Sequence, residues 1–201
     1  GCHGKHVEDE EERQRMTEGM EMWKRGWMQQ DIMMEKKMIE STTYEHWLEA
    51  LKEFIVQIDP TEFHCCVNEG FVENVFESGG IEQEDMDEEE RLAYSPEVNV
   101  ILSYRNSSFK KHPSFESKYA FDDIFQDTDG GKLYIFSPIH YLDRNFGYCV
   151  FANSDFPIAN QIYVGWLISL GNYIENIRKQ SLLRNAMKRL DEMYIKDSLT
   201  G

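Results

Sequence analysis

The sequence predicts an α+β fold in which helices pack on a small, mainly antiparallel sheet. Three observations carry that prediction. Apolar residues recur at helical spacing near both ends of the chain. The middle holds β-branched and aromatic runs suited to strands. Two of those runs, Lys132–Leu142 and Asn145–Asn153, are separated only by Asp143-Arg144, the mark of a tight hairpin.

The elements follow in order. Residues 8–40 lack proline and are rich in Glu, Met, Lys and Gln, so they read as one long helix within an N-terminal signalling or dimerisation segment, 1–40. Met16, Met20, Trp23, Trp27 and Met34 fall on one stripe of it, with Gln30 filling the remaining position. A second helix is predicted after Ser41-Thr42-Thr43, which supplies an N-cap with Glu45 as its reciprocal partner. Its apolar positions are Tyr44, Trp47, Leu48, Leu51, Phe54, Ile55 and Ile58, and Asp59-Pro60 ends it. Residues 62–68 (EFHCCVN) read as a short buried strand, followed by a turn at Asn68-Glu69-Gly70. Residues 77–97 are acidic and read as an exposed excursion.

Val98–Tyr104 is a second strand, and 105–131 reads as irregular, with a short helix around Phe121–Phe125 and a turn at Asp129-Gly130-Gly131. Pro138 inside the next strand calls for a bulge or an edge position. From Ala159 to about Lys196 the chain reads as one helix. Its first half (Ile162, Trp166, Ile168, Leu170, Tyr173, Ile174, Ile177) is broad enough to cover a sheet. Its second half narrows to Leu183, Met187, Leu190 and Tyr194, a coiled-coil-like seam in which Gln180 is polar, while the charge turns basic from Arg178.

Composition limits the function. Hydrophobic residues make up 41% of 201, enough for a globular core. No apolar run suits a bilayer span, and no signal-peptide pattern opens the chain. The net charge of −16 repels nucleic acid. Cys2, Cys65, Cys66 and Cys149 show no CxxC spacing, which suits free thiols in a reducing cytoplasm.

Candidate sites are few. His64 and Cys66 share one strand face and Cys65 takes the other, a poor metal set that reads as buried core. A thiol pair of Cys66 and Cys149 requires adjacent strands. His140 and Asp143 lie by the hairpin turn without a partnered nucleophile, so no catalytic residue is assigned. Tyr134, Phe136, Tyr148 and Phe151 alternate along the hairpin strands, where they either line a ligand cavity or fill a core.

The last residues, Asp197-Ser198-Leu199-Thr200-Gly201, resemble the D-x-L-T-G start of GGDEF diguanylate cyclase domains. With Gly1 at the other end, they mark the chain as an excised piece of a longer protein. The resemblance implies a parent that makes cyclic di-GMP from GTP, with Mg and GTP bound only by the domain that follows. This chain itself is then not an enzyme and holds no metal or cofactor. The body, 41–180, is similar in element order to GAF domains, with Tyr134–Ile139 and Phe146–Phe151 resembling their late hairpin. It is followed by a linker helix and cyclase start, 181–201. The implied role is a GAF-like sensor or relay module, homodimeric through its terminal helices, with a small-molecule ligand and neither nucleic acid nor membrane as partner. The alternative is a ligand-free dimerisation spacer.

Overall fold

Helix α1 spans His3–Glu40, a run of strong helix formers without proline. The computed structural model describes residues 3–79, 93, 95–111, 115–116, 131–159 and 162–200. The chain divides into two compact units, Gly1–Lys36 and Lys37–Gly201. In the first, Met16 is exposed, and the side chains of Met20, Trp23, Trp27 and Gln30 lie outside the described residues.

In the second unit, helix α2 spans Tyr44–Ile58 and buries Trp47, Ala50, Leu51, Phe54 and Ile55. Thr43 caps it, accepting from the His46 amide at 3.4 Å. The residue in reciprocal capping position is thus His46. Glu45 stands one place too early for that bond and serves only as an acid in the first turn. Thr43→Ala is expected to cost about 0.5–1 kcal/mol, read as a lower urea midpoint at unchanged slope. Asp59 ends the helix in the left-handed region, φ 46°, with its amide bonded to the Ile55 carbonyl. Tyr104 and Ser107 donate to its carboxylate at 2.6 and 3.0 Å. The turn after the helix is thereby tied to the second strand.

The strands are β1 (Glu62–Asn68), β2 (Glu97–Arg105), β3 (Ser108–Lys110), β4 (Phe115–Glu116), β5 (Tyr134–Tyr141) and β6 (Arg144–Ala152). They form an antiparallel sheet in the order β3-β2-β1-β6-β5, with the two-residue β4 also paired to β2. The segment expected to be irregular therefore begins with strand β3, entered through Asn106 and Ser107, both at positive φ. The expected helix at 121–125 and most of the acidic excursion lie outside the described residues. The hairpin turn is Leu142-Asp143, one residue earlier than expected, with Leu142 at φ 48°. Pro138 lies on β5, which ends the strand order, and a register shift follows at Ile139/His140. An edge position leaves its missing N–H without cost.

A short helix α3 (Phe156–Ala159) precedes α4 (Ile162–Thr200). Trp166, Leu170, Tyr173, Ile174 and Ile177 of α4 are buried as predicted. Ile168 is exposed instead, and Tyr163 takes a buried place. Residue 168 lies two positions from both 166 and 170, about 200° around a helix, so one stripe cannot hold all three. Phe54 of α2 stacks on Trp166 of α4 with centroids 5.3 Å apart, and Phe151 of β6 packs edge-on to both Trp166 and Tyr163. Both helices therefore cover the same face of the sheet.

Candidate functional site

Strand alternation gives the sheet two chemically different faces. Phe63, Cys65, Leu102, Tyr104, Cys149 and Phe151 occupy the helix-covered face, paired across strands as Phe63–Tyr104, Phe63–Phe151, Cys65–Leu102 and Cys65–Cys149. The opposite face holds Glu62, His64 and Cys66 from β1, set against Arg105, Ser103 and Val100 of β2 and against Ala152, Val150 and Tyr148 of β6. Tyr134 and Phe136 extend that face onto β5, across from Ala152 and Val150.

Three of the four candidate pocket residues thus share the face away from the helices. Phe136 and Tyr148 lie 5.9 Å apart by ring centroid, and Tyr134 and Tyr148 pack against a small cluster of Cys66, Val98 and Val150. Phe151 does not join them. It is fully buried on the helix side, 4.8 Å from the Phe63 ring, and serves as core. Odd and even positions of one strand cannot line the same cavity, so a set drawn from residues 134, 136, 148 and 151 had to split.

The same face also carries charge. Glu62, nearly inaccessible, accepts from Lys132 at 3.2 Å and from Arg105, and lies 2.9 Å from His64 Nε2. Burial alone would raise its pKa, but the bonds from His64, Arg105 and Lys132 and the Arg105 charge outweigh burial and hold it at about 2. The carboxylate is therefore ionised at any ordinary pH. Sequence reasoning missed this cluster. The one available signal was the E-x-H spacing, which puts Glu62 and His64 on one strand face.

His64, Cys65 and Cys66 are all fully buried, as the core reading required. β1 and β6 are adjacent, yet Cys149 faces Cys65, and Cys66 faces Tyr148 on the other side. Burial pushes the Cys66 and Cys149 thiols up to about 12 and Cys65 well above its ordinary value. Neutral, enclosed thiols are poor nucleophiles. Among the described residues, no group of three or more His, Cys, Asp or Glu is placed to hold a metal.

A second feature is the joint where α4 leaves the body. A π-helical turn, Glu73–Glu77, ends with carbonyls that its own chain leaves open. Side chains of α4 satisfy them: Ser181 donates to the Phe76 carbonyl at 2.9 Å, Asn185 to Glu77 at 2.5 Å and Arg178 to Gly79 at 2.5 Å. Arg178 is also bidentate to buried Glu175, at 2.8 and 2.9 Å. Arg178, where the charge of the helix turns basic, is a buried clamp. Gly79, at φ 72°, lies so close that a Cβ would meet the Leu182 amide nitrogen at 2.4 Å.

Beyond Asn185 the described side chains of α4 are exposed, including Met187, Leu190, Met193, Tyr194 and Ile195. Upstream, Met38, Tyr173, Asn176, Ile177, Gln180 and Leu183 line an open groove of about 240 Å³. The α4 backbone is helical through Thr200, while the side chains of Asp197, Leu199 and Thr200, and all of Gly201, lie outside the described residues.

No protein-family profile matches the chain, and neither a curated protein nor a solved structure matches it. No described helix is long and apolar enough to cross a membrane.

Proposed function

We propose that this chain is the GAF-like input or relay domain of a diguanylate cyclase, passing its state to a downstream GGDEF domain through a dimer of α4. The observation that carries this reading is the division of α4. Its first part is buried against the sheet, Arg178, Ser181 and Asn185 clamp its middle, and its remainder runs exposed and helical into the D-x-L-T-G resemblance. A helix held firmly at one end and bare at the other suits the transmission of a rotation or shift.

The bare part favours a second copy of the chain as partner. Tyr173, Asn176, Gln180, Leu183, Met187, Leu190 and Tyr194 alternate spacings of three and four, a heptad seam. The first four of them line the groove. Leu183, Met187, Leu190 and Tyr194 each leave more than half their surface in water, and pairing would cover that apolar area. Asn176 and Gln180 place polar groups in the seam, which lowers its stability and leaves room for two arrangements of similar energy. The face with Tyr134, Phe136 and Tyr148 supports a ligand-responsive input. Catalysis and its Mg and GTP belong, in this reading, to the GGDEF domain.

Leu183→Glu with Leu190→Glu tests the reading. Both side chains are exposed in one copy, so the fold should melt within about 1 kcal/mol of wild type. Sedimentation should shift from dimer to monomer, and cyclic di-GMP output from the longer parent protein should fall at least tenfold. A wild-type chain that stays monomeric at several hundred micromolar, or a parent that makes no cyclic di-GMP, overturns it.

A further inference from the structure

The groove along α4 has a second wall. Met38 and Ile39, in the last turn of α1, line it together with Asn176, Gln180 and Leu183. That wall is fixed. Met38 is fully buried, Lys37 pairs with Glu53 of α2, and Ser41 closes the turn by donating to the Lys37 carbonyl at 2.7 Å. The rim is nonetheless apolar and in water: Ile39 is 58% exposed and Leu183 62%. From Tyr173 to Leu183 the groove follows α4 for about 15 Å, which is the length of a helical segment rather than of one side chain. A helix laid along the α4 seam therefore also lies against Ile39.

The two polar seam positions set its direction. Laid parallel and in register, Asn176 and Gln180 each meet their own counterpart, and carboxamides both donate to and accept from one another. Leu183, Met187, Leu190 and Tyr194 then meet their apolar counterparts too. Antiparallel registers lose one match or the other. Setting Asn176 against Gln180 lays Leu190 opposite Trp166, which is fully buried within its own copy. Sliding from there by one or two heptads sets both amides against apolar seam residues. A carboxamide buried without a partner costs roughly five- to a hundredfold in an equilibrium. The parallel pairing costs less, since its flanking positions bring Lys179 near Arg184 of the other copy, an exposed like-charge contact of about twofold. Lys179 is also engaged within its own copy, 3.5 Å from Glu175 and 5.0 Å from the centre of the Tyr141 ring.

We infer that a second copy of the chain binds in this groove parallel and in register, with Ile39 as a contact and Asn176 and Gln180 as the residues that fix the register. This rests on the relay reading above and adds a point of entry to it. The last turn of α1 touches the same contact that sets the spacing of the two α4 helices.

Cysteine cross-linking of the whole chain in a Cys2→Ser background tests it, since Cys65, Cys66 and Cys149 are enclosed. Gln180→Cys and Leu190→Cys, each alone, should each give mostly disulfide dimer when diamide takes up the two thiol hydrogens. Every antiparallel register separates at least one of these like pairs by about ten residues or more, roughly 15 Å, beyond the reach of a disulfide. Ile39→Glu should weaken dimerisation at least tenfold in sedimentation, while the monomer melts within about 2 °C of wild type because the side chain is exposed. Asn176→Leu with Gln180→Leu should tighten the dimer yet lower the Leu190→Cys cross-link at least threefold, because an apolar seam admits other registers. A dimer in which either cysteine fails to cross-link overturns the inference and leaves the relay reading standing. The same holds if Ile39→Glu associates as tightly as wild type, or if the double leucine variant keeps its full cross-link. A wild-type chain that stays monomeric overturns both.

Discussion

Gly171→Ala is expected to destabilise the domain by about 2–4 kcal/mol, whereas Gly165→Ala, six residues earlier on the same helix, is expected to stabilise it by about 0.5–1 kcal/mol. In an exposed helix interior, alanine is favoured over glycine because it restricts the unfolded chain. Gly165 has that situation, since a Cβ there would meet nothing within 4 Å. At Gly171 a Cβ would lie 2.1 Å from the His140 carbonyl oxygen of β5. Backbone stands on both sides of that contact, so relief requires α4 and β5 to separate by more than 1 Å. The separation would loosen Leu170 and Ile174, both fully buried beside it. The clash outweighs the propensity gain, and the two variants should move the urea midpoint in opposite directions. Equal shifts of the same sign would disprove the close approach.

Glu62→Gln is expected to cost about 3 kcal/mol at pH 7, because Arg105 and Lys132 then lose the charge of a nearly inaccessible carboxylate. The pH dependence has a definite sign. Folding lowers the Glu62 pKa from 4.5 to about 2, so its stabilisation is fully present above pH 4.5 and is lost as pH falls towards 2. That shift corresponds to roughly 3 kcal/mol, in line with the substitution estimate. Wild type and Glu62→Gln should therefore differ clearly in urea titrations at neutral pH and converge near pH 2. A gap that stays constant on acidification would show that the bonds to His64, Arg105 and Lys132 do not set the Glu62 ionisation.

Much of the fold was legible because burial period is a local property of the chain. Glu62–Asn68 was read residue for residue, since six consecutive buried positions leave little ambiguity. Helix α2 and the hairpin were equally plain, although Leu142 in a left-handed turn shifted the hairpin by one residue and hid the turn from residue preference. Strand β3 was missed because Ser108–Lys110 is three residues long and half polar, and it exists only by pairing with Ser103–Arg105. The four candidate residues divide between the two faces of the sheet. Tyr134, Phe136 and Tyr148 do share a face, but Phe151 belongs to the other, and only the register of β5 on β6 fixes which.

By itself, the sequence determined the helices, the strands, the antiparallel hairpin and the exposed seam of α4, all of which follow from spacing along a single stretch of chain. The tertiary structure alone decided the charged cluster and the clamp. Glu62 meets Arg105 across 43 residues and Lys132 across 70, and Arg178 reaches the Gly79 carbonyl across 99. No local pattern encodes such pairs, because a buried charge is acceptable only where the sheet register and the helix docking bring its partner within hydrogen-bond distance. The sequence marks neither partner of Glu62 or Arg178, and packing supplies both.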